Sequence, residues 1–193
     1  MTEALLTPPA LADLSPPRVS VPQYHRMIAC GAIGEDDPVE LLHGRLVETM
    51  PQGSAHAKAV EELAERCRAA VDGSCHVKSE KPITFADSEP EPDVAVVRGS
   101  RWDYEPHPTG RDCLLLIEVA ETSLARDLGK ARVYAAGGAA AYWVVDLAAG
   151  EIVAHAGPSD DGYAEVSRGP SAAIDLPGGR LAVSVGDLTR PQS

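Results

Sequence analysis

Two short, near-continuous apolar runs stand out along this chain, DVAVVR at 93–98 and CLLLIEVA at 113–120. Runs of that length between polar loops predict strands buried on both faces of a sheet. CHVKSEKPITF (75–85) predicts another strand ahead of them, and AYWVVDL with EIVAHA predicts a hairpin turning at Ala148-Ala149-Gly150. In VELLHGRLVETM two apolar runs meet at His43-Gly44, which predicts a second hairpin. The tail, GYAEVSRG through AAIDLPGGRLAVSV, predicts two weaker strands.

Elsewhere the apolar positions follow helical spacing. VPQYHRMIACGAI predicts a short helix with Tyr24, Met27 and Ile28 on one face and Gly31 near its end. Ser54 is placed to cap a helix through residue 71, whose stripe is Val60, Leu63, Ala64, Cys67 and Val71. A further helix is predicted from Ser123 to about Ala136, closed by Gly137-Gly138. Residues 1–20 are Pro-rich and polar and predict a loose arm. Loops are expected at Glu35-Asp36-Asp37-Pro38, at Pro51-Gln52-Gly53, and over 99–111, which contains Trp102, Tyr104 and His107. No repeat or linker divides the rest, so the expectation is one α/β domain over 21–193.

Composition narrows the class. A hydrophobic fraction of 44% suits a globular protein, and 4% aromatics leaves the core to aliphatic residues. No apolar run approaches the roughly 20 residues of a membrane-spanning helix, so no membrane role is expected. The N-terminus lacks a basic region followed by an apolar block, which points to the cytoplasm. Cys30, Cys67, Cys75 and Cys113 include no close pair of the kind zinc sites use. A net charge of −12 argues against a protein that grips long stretches of nucleic acid. It leaves open a local site at which divalent cations offset carboxylates.

Asp93 follows Glu91-Pro92 at the start of a buried strand, and Glu118 follows four aliphatic residues. An unpaired buried carboxylate costs several kcal/mol, so something must offset it. A divalent cation shared by two carboxylates is one answer. The next helix carries Asp127, Lys130 and Tyr134 at i, i+3 and i+7, which aligns them on one face. A lysine beside a metal-activated water can orient it and stabilise charge on a phosphate. The bland readings are a turn residue at Asp93, an ion pair of Glu118 with Arg126 or Arg132, and a solvated Lys130 paired with Asp127. Glu40 precedes Leu41-Leu42 as a third carboxylate, facing either inward or to the rim. His56, in the first helical turn, either contacts phosphate, transfers protons or is a surface residue. Trp102 and Tyr104 either stack on bases or cap a hydrophobic edge.

Asp93-Val94-Ala95-Val96-Val97, Ile117-Glu118-Val119, Lys130-x-x-x-Tyr134 and Tyr142-Trp143-Val144-Val145-Asp146 together resemble the Uma-two family. Tyr24-His25-Arg26-Met27-Ile28, Val39–Glu48 and Pro51–His56 agree in order and spacing. Members of that family are named as endonucleases by similarity and fall in the PD-(D/E)XK restriction-endonuclease-like superfamily. The resemblance covers roughly 20–170. It implies a mixed β-sheet flanked by helices, with additional hairpins, and Mg²⁺ or Mn²⁺ held at Asp93 and Glu118. The Val119 carbonyl would be a further ligand, and Glu40 an auxiliary acid. The superfamily's usual lysine position is Ala120 here, and the family resemblance places that lysine at Lys130. Three departures are visible: His43-Gly44-Arg45 at a normally acidic turn, Glu121-Thr122-Ser123-Leu124 for Ser-Pro-Ser-Thr, and a short Asp127-to-Lys130 spacing. The expected function is divalent-metal-dependent hydrolysis of nucleic-acid phosphodiesters, with DNA the expected substrate, by a monomer or homodimer. The alternatives are a non-catalytic nucleic-acid-binding or assembly module on the same fold, and a metal-dependent enzyme with another substrate.

Overall fold

A computed structural model of the chain describes residues 16–34, 37–49 and 52–189. Most of the expected arm, and parts of the loops expected at Glu35-Asp36 and Pro51, lie outside the described residues. The elements run α1 (Val21–Ala29), β1 (Val39–Leu42), β2 (Arg45–Glu48), α2 (Ser54–Ala70), β3 (Cys75–Ser79), β4 (Val94–Arg98) and β5 (Cys113–Ala120). After them come α3 (Leu124–Ala136), β6 (Ala141–Asp146), β7 (Glu151–Ser159), β8 (Gly162–Gly169), β9 (Ser171–Leu176), β10 (Gly179–Ser184) and α4 (Val185–Leu188). Six strands form one mixed sheet in the order β3-β4-β5-β6-β7-β8; β1-β2 and β9-β10 are separate antiparallel hairpins. Only β5 and β6 pair in parallel, and α3 makes the crossover that parallel pairing requires.

The two faces of the sheet have separate cores. Val94, Val96, Leu115, Ile117, Val119, Trp143 and Val145 pack under α2, the β9-β10 hairpin and α4. Ala95, Val97, Leu116, Ala120, Tyr142 and Val144 pack with α3 residues Val133 and Tyr134. Burial on both faces explains why β4 and β5 read as continuous apolar runs. It also fixes register, because a one-residue slip would exchange the two cores. Glu118, between Val119 and Ile117, therefore projects to the α3 face with Leu116 and Ala120.

Several expectations are corrected. The strand foreseen over 75–85 stops at Ser79, because Glu80 adopts a left-handed conformation at φ 51° and turns the chain. The cap of α2 is Gly53, with Ser54 already helical and making no capping bond. The tail forms three strands, not two: β8 pairs as the edge of the main sheet, exposed along most of its length, and β9 and β10 form a hairpin of their own. Ile28 shares the Tyr24 face of α1 but is 44% exposed, whereas Tyr24 is buried. The two hairpin turns sit where expected. His43 and Gly44 are both left-handed, the geometry that twists two strands correctly, and Asp146 accepts from the Ala148 and Ala149 N–H groups at the other turn. No helix among the described residues is long and apolar enough to cross a membrane.

Candidate functional site

Asp93 ends the bend before β4, and the register Val94↔Ile117 brings it beside Glu118 on β5. Both carboxylates are buried, and both line a cavity of about 750 Å³ together with Glu40, His56, Val119 and Lys130. The cavity lies where the start of β4, the C-terminal half of β5, the first turns of α2 and α3, and β1 converge.

Each of the two carboxylates uses one oxygen for protein contacts. Asp93 Oδ2 accepts the Val119 N–H at 2.6 Å and lies 3.1 Å from His56 Nε2. Glu118 Oε1 accepts from Lys130 Nζ at 3.0 Å and from the Tyr134 hydroxyl at 2.7 Å. Among the described residues no hydrogen bond reaches Asp93 Oδ1 or Glu118 Oε2. Lys130 Nζ also donates to Glu40 Oε2 at 3.2 Å, and Glu40 Oε1 stands at the same distance without receiving a hydrogen bond. The helical face foreseen for Asp127, Lys130 and Tyr134 is the buried face of α3. Asp127 is occupied locally, accepting the Ser123 hydroxyl, with Arg126 Nε 3.7 Å away. Tyr142, from β6, donates its hydroxyl to the Asp127 carbonyl at 2.7 Å and ties α3 to the sheet.

The electrostatics follow from burial. Burial pushes the Glu118 carboxyl up to about 8, against the opposing pull of Lys130, and Asp93 and Asp127 add to the rise. Burial alone would lower Lys130, but Glu118 and Glu40 outweigh it and hold the ammonium above its ordinary range. His56 is likewise lowered by burial and raised on balance by the Asp93 hydrogen bond and charge. Asp127 is raised by burial, and Tyr134 is held well above the ordinary tyrosine range by burial and Glu118. The centre thus holds more carboxylate than cation, with Glu80, Glu91 and Glu121 adding to the acidic lining.

A hard divalent cation fits this donor set: carboxylates, each with a free oxygen, and a net negative cavity that a cation would neutralise. Among the described residues no three His, Cys, Asp or Glu side chains form a ready cage. Backbone carbonyl and solvent oxygens would have to complete the shell. The bland pairings of Glu118 with Arg126 or Arg132, and of Lys130 with Asp127 alone, are not what forms. Tyr134 was foreseen only as a face-mate of Lys130, and its direct bond to Glu118 depends on tertiary packing. Trp102 is 87% exposed and caps nothing, whereas Tyr104 packs on the α3-side core and donates to the Arg98 carbonyl. All four cysteines are free.

The same sheet-and-helix architecture occurs in the crystal structure of a putative nuclease belonging to DUF820 from Anabaena variabilis. That structure superposes with a TM-score of 0.67 at 19% identity, covering 89% of this chain and 97% of that one. Residues 21–184 match the Uma2 family, described as putative restriction endonuclease, and the chain belongs to that family. Among curated proteins nothing matches.

Proposed function

We propose that this protein is a divalent-metal-dependent endonuclease that hydrolyses nucleic-acid phosphodiester bonds, with Asp93, Glu118, Lys130 and Glu40 as its working groups. The observation that carries the reading is the pairing of two buried carboxylates, each with a free oxygen, with a buried lysine 3.0 Å from Glu118 in one cavity. Asp93 and Glu118, with the Val119 carbonyl, would hold Mg²⁺ or Mn²⁺. When bound, the ion supplies Lewis-acid activation of the phosphodiester and offsets the carboxylate charge that would otherwise repel it. Lys130 orients the attacking water and stabilises charge developing on the phosphate. Tyr134 and Glu40 keep the ammonium and Glu118 in register. Lys130 occupies the role that Ala120 lacks, which favours a catalytic site over a binding module. Membership of a family described as putative restriction endonuclease supports nucleic acid as the substrate, and DNA is the form proposed.

The test begins without a substrate. Mn²⁺ is titrated calorimetrically into wild type, Asp93→Ala and Glu118→Ala, each checked for folding, and cleavage of single- and double-stranded DNA and RNA is then screened. Binding and cleavage by wild type, lost in both variants, is expected. Equal binding by all three proteins overturns the metal site, and metal-dependent cleavage retained in Glu118→Ala overturns the mechanism.

A further inference from the structure

His56 is the third helical residue of α2, and α2 packs against β3, β4 and β5, so its first turn meets the strand end that carries Asp93. The ring is 7% exposed, with Nε2 3.1 Å from Asp93 Oδ2. A carboxylate accepts and does not donate, so the shared proton belongs to Nε2, and in the neutral ring Nδ1 carries the lone pair. Nδ1 is enclosed and has no hydrogen-bond partner among the described residues. An enclosed nitrogen cannot reach a phosphate in the cavity, so the ring's working contact is with Asp93 alone.

That contact has a geometric consequence. Each carboxylate oxygen has about two acceptor sites. The Val119 N–H and the His56 Nε2–H fill both on Oδ2, leaving Oδ1 as the only oxygen with capacity for a cation. Val119 belongs to β5 and His56 to α2, so the Asp93 side chain is held between a strand and the helix packed on it. The donor from β5 persists in any folded variant. The one from α2 is a side chain and can be removed.

We propose that His56 is a positioning residue that locks Asp93 so that Oδ1 alone is presented to the divalent cation. This rests on the metal-dependent reading above. Partners that orient a ligand's second donor set its rotamer before the ion arrives, and their loss typically costs 10- to 100-fold in metal affinity.

Calorimetric Mn²⁺ titration of the full chain tests it, using wild type, His56→Ala, His56→Gln and Asp93→Ala, with thermal unfolding measured in chelator for each. His56→Ala should weaken Mn²⁺ binding about 10- to 100-fold, and His56→Gln, whose amide nitrogen can stand near Nε2, should recover most of that loss. If His56→Ala fails to fold, His56→Gln decides: wild-type affinity supports the lock, and affinity as poor as that of Asp93→Ala overturns it. Wild-type affinity in a folded His56→Ala also overturns it. Absence of Mn²⁺ binding by wild type overturns the metal reading first and this assignment with it. A second readout is the imidazole ¹⁵N spectrum of the neutral ring, recorded at alkaline pH, which should show a protonated Nε2 and an unprotonated Nδ1 in wild type. That pattern should average between tautomers in Asp93→Ala, and a protonated Nδ1 with bare Nε2 in wild type overturns the assignment.

Discussion

Lys130 Nζ stands between Glu118 Oε1 at 3.0 Å and Glu40 at 3.2 Å, and it is the only buried lysine or arginine among the described residues. Strand, hairpin and helix meet in that one ammonium, since Glu118 comes from β5, Glu40 from β1 and Lys130 from α3. Removing it leaves two buried carboxylates facing each other. Lys130→Ala is therefore expected to lower stability at pH 8 by about 3–5 kcal/mol, the usual cost of breaking a buried pair from one side. The loss should shrink toward pH 5, where Glu118 takes up a proton. Urea unfolding at both pH values measures it, and a loss that does not vary with pH contradicts the arrangement.

The pH dependence of the wild type has a definite sign. Burial raises the folded-state Glu118 carboxyl from its ordinary 4.5 to about 8. Between those values the folded protein keeps a proton that the unfolded chain releases. The stability Glu118 contributes is thus complete below about 4.5 and is lost as pH rises through about 8. In chelator, the melting temperature of wild type relative to Glu118→Gln should fall across pH 5 to 9, because glutamine keeps an acceptor for Tyr134 without the charge. A difference that stays flat with pH would mean that Glu118 is ionised throughout.

Tyr134 supplies a smaller, cleaner perturbation. Its ring is fully buried, edge-on to Tyr142 at 4.7 Å and tilted against Phe85 at 5.4 Å. Tyr134→Phe keeps that packing and deletes only the 2.7 Å bond to Glu118. At pH 9, where Glu118 is ionised, a bond to a carboxylate is worth roughly 1.5–3 kcal/mol, so a comparable drop in unfolding free energy is expected there. A change below a few tenths of a kcal/mol would show that Glu118 relies on Lys130 alone.

Thiol chemistry checks the packing independently. Burial pushes the Cys67 and Cys113 thiols up to about 12, and neither is accessible, whereas Cys30 is exposed. A thiol reagent at pH 8, followed by mass spectrometry, should label Cys30 in the native protein and reach Cys67 and Cys113 only on unfolding. Early labelling of Cys67 would contradict the packing of α2 on the sheet.

Much of this was legible in the chain, for local reasons. Aliphatic runs announced β4 and β5 because strands buried on both faces need apolar residues at every position. The interruption of one such run by Glu118 marked the site. The helical register of Asp127, Lys130 and Tyr134 followed from spacing alone. What escaped depends on tertiary contacts or on single backbone conformations. Asp93 and His56 are 37 positions apart, and only the docking of α2 against the sheet joins them. The left-handed Glu80 cut short a strand whose composition permitted it to continue. β8 looked weak because its polar residues face solvent at a sheet edge. Trp102 could be placed only once its loop was, and it stands in solvent.

The candidate site divides between groups held by the sheet and groups carried on a helix. Glu118 is anchored in the backbone ladder of the sheet and Asp93 directly precedes β4, whereas Lys130 and Tyr134 belong to α3, which the Tyr142 hydroxyl pins to β6. Displacing α3 as a unit would withdraw the ammonium and the phenol together and leave the carboxylates in place. Under the proposed function, affinity for a cation and turnover of a substrate would then depend on different parts of the protein. A lesion in the tyrosine anchor should uncouple them, giving a protein that is loaded but idle.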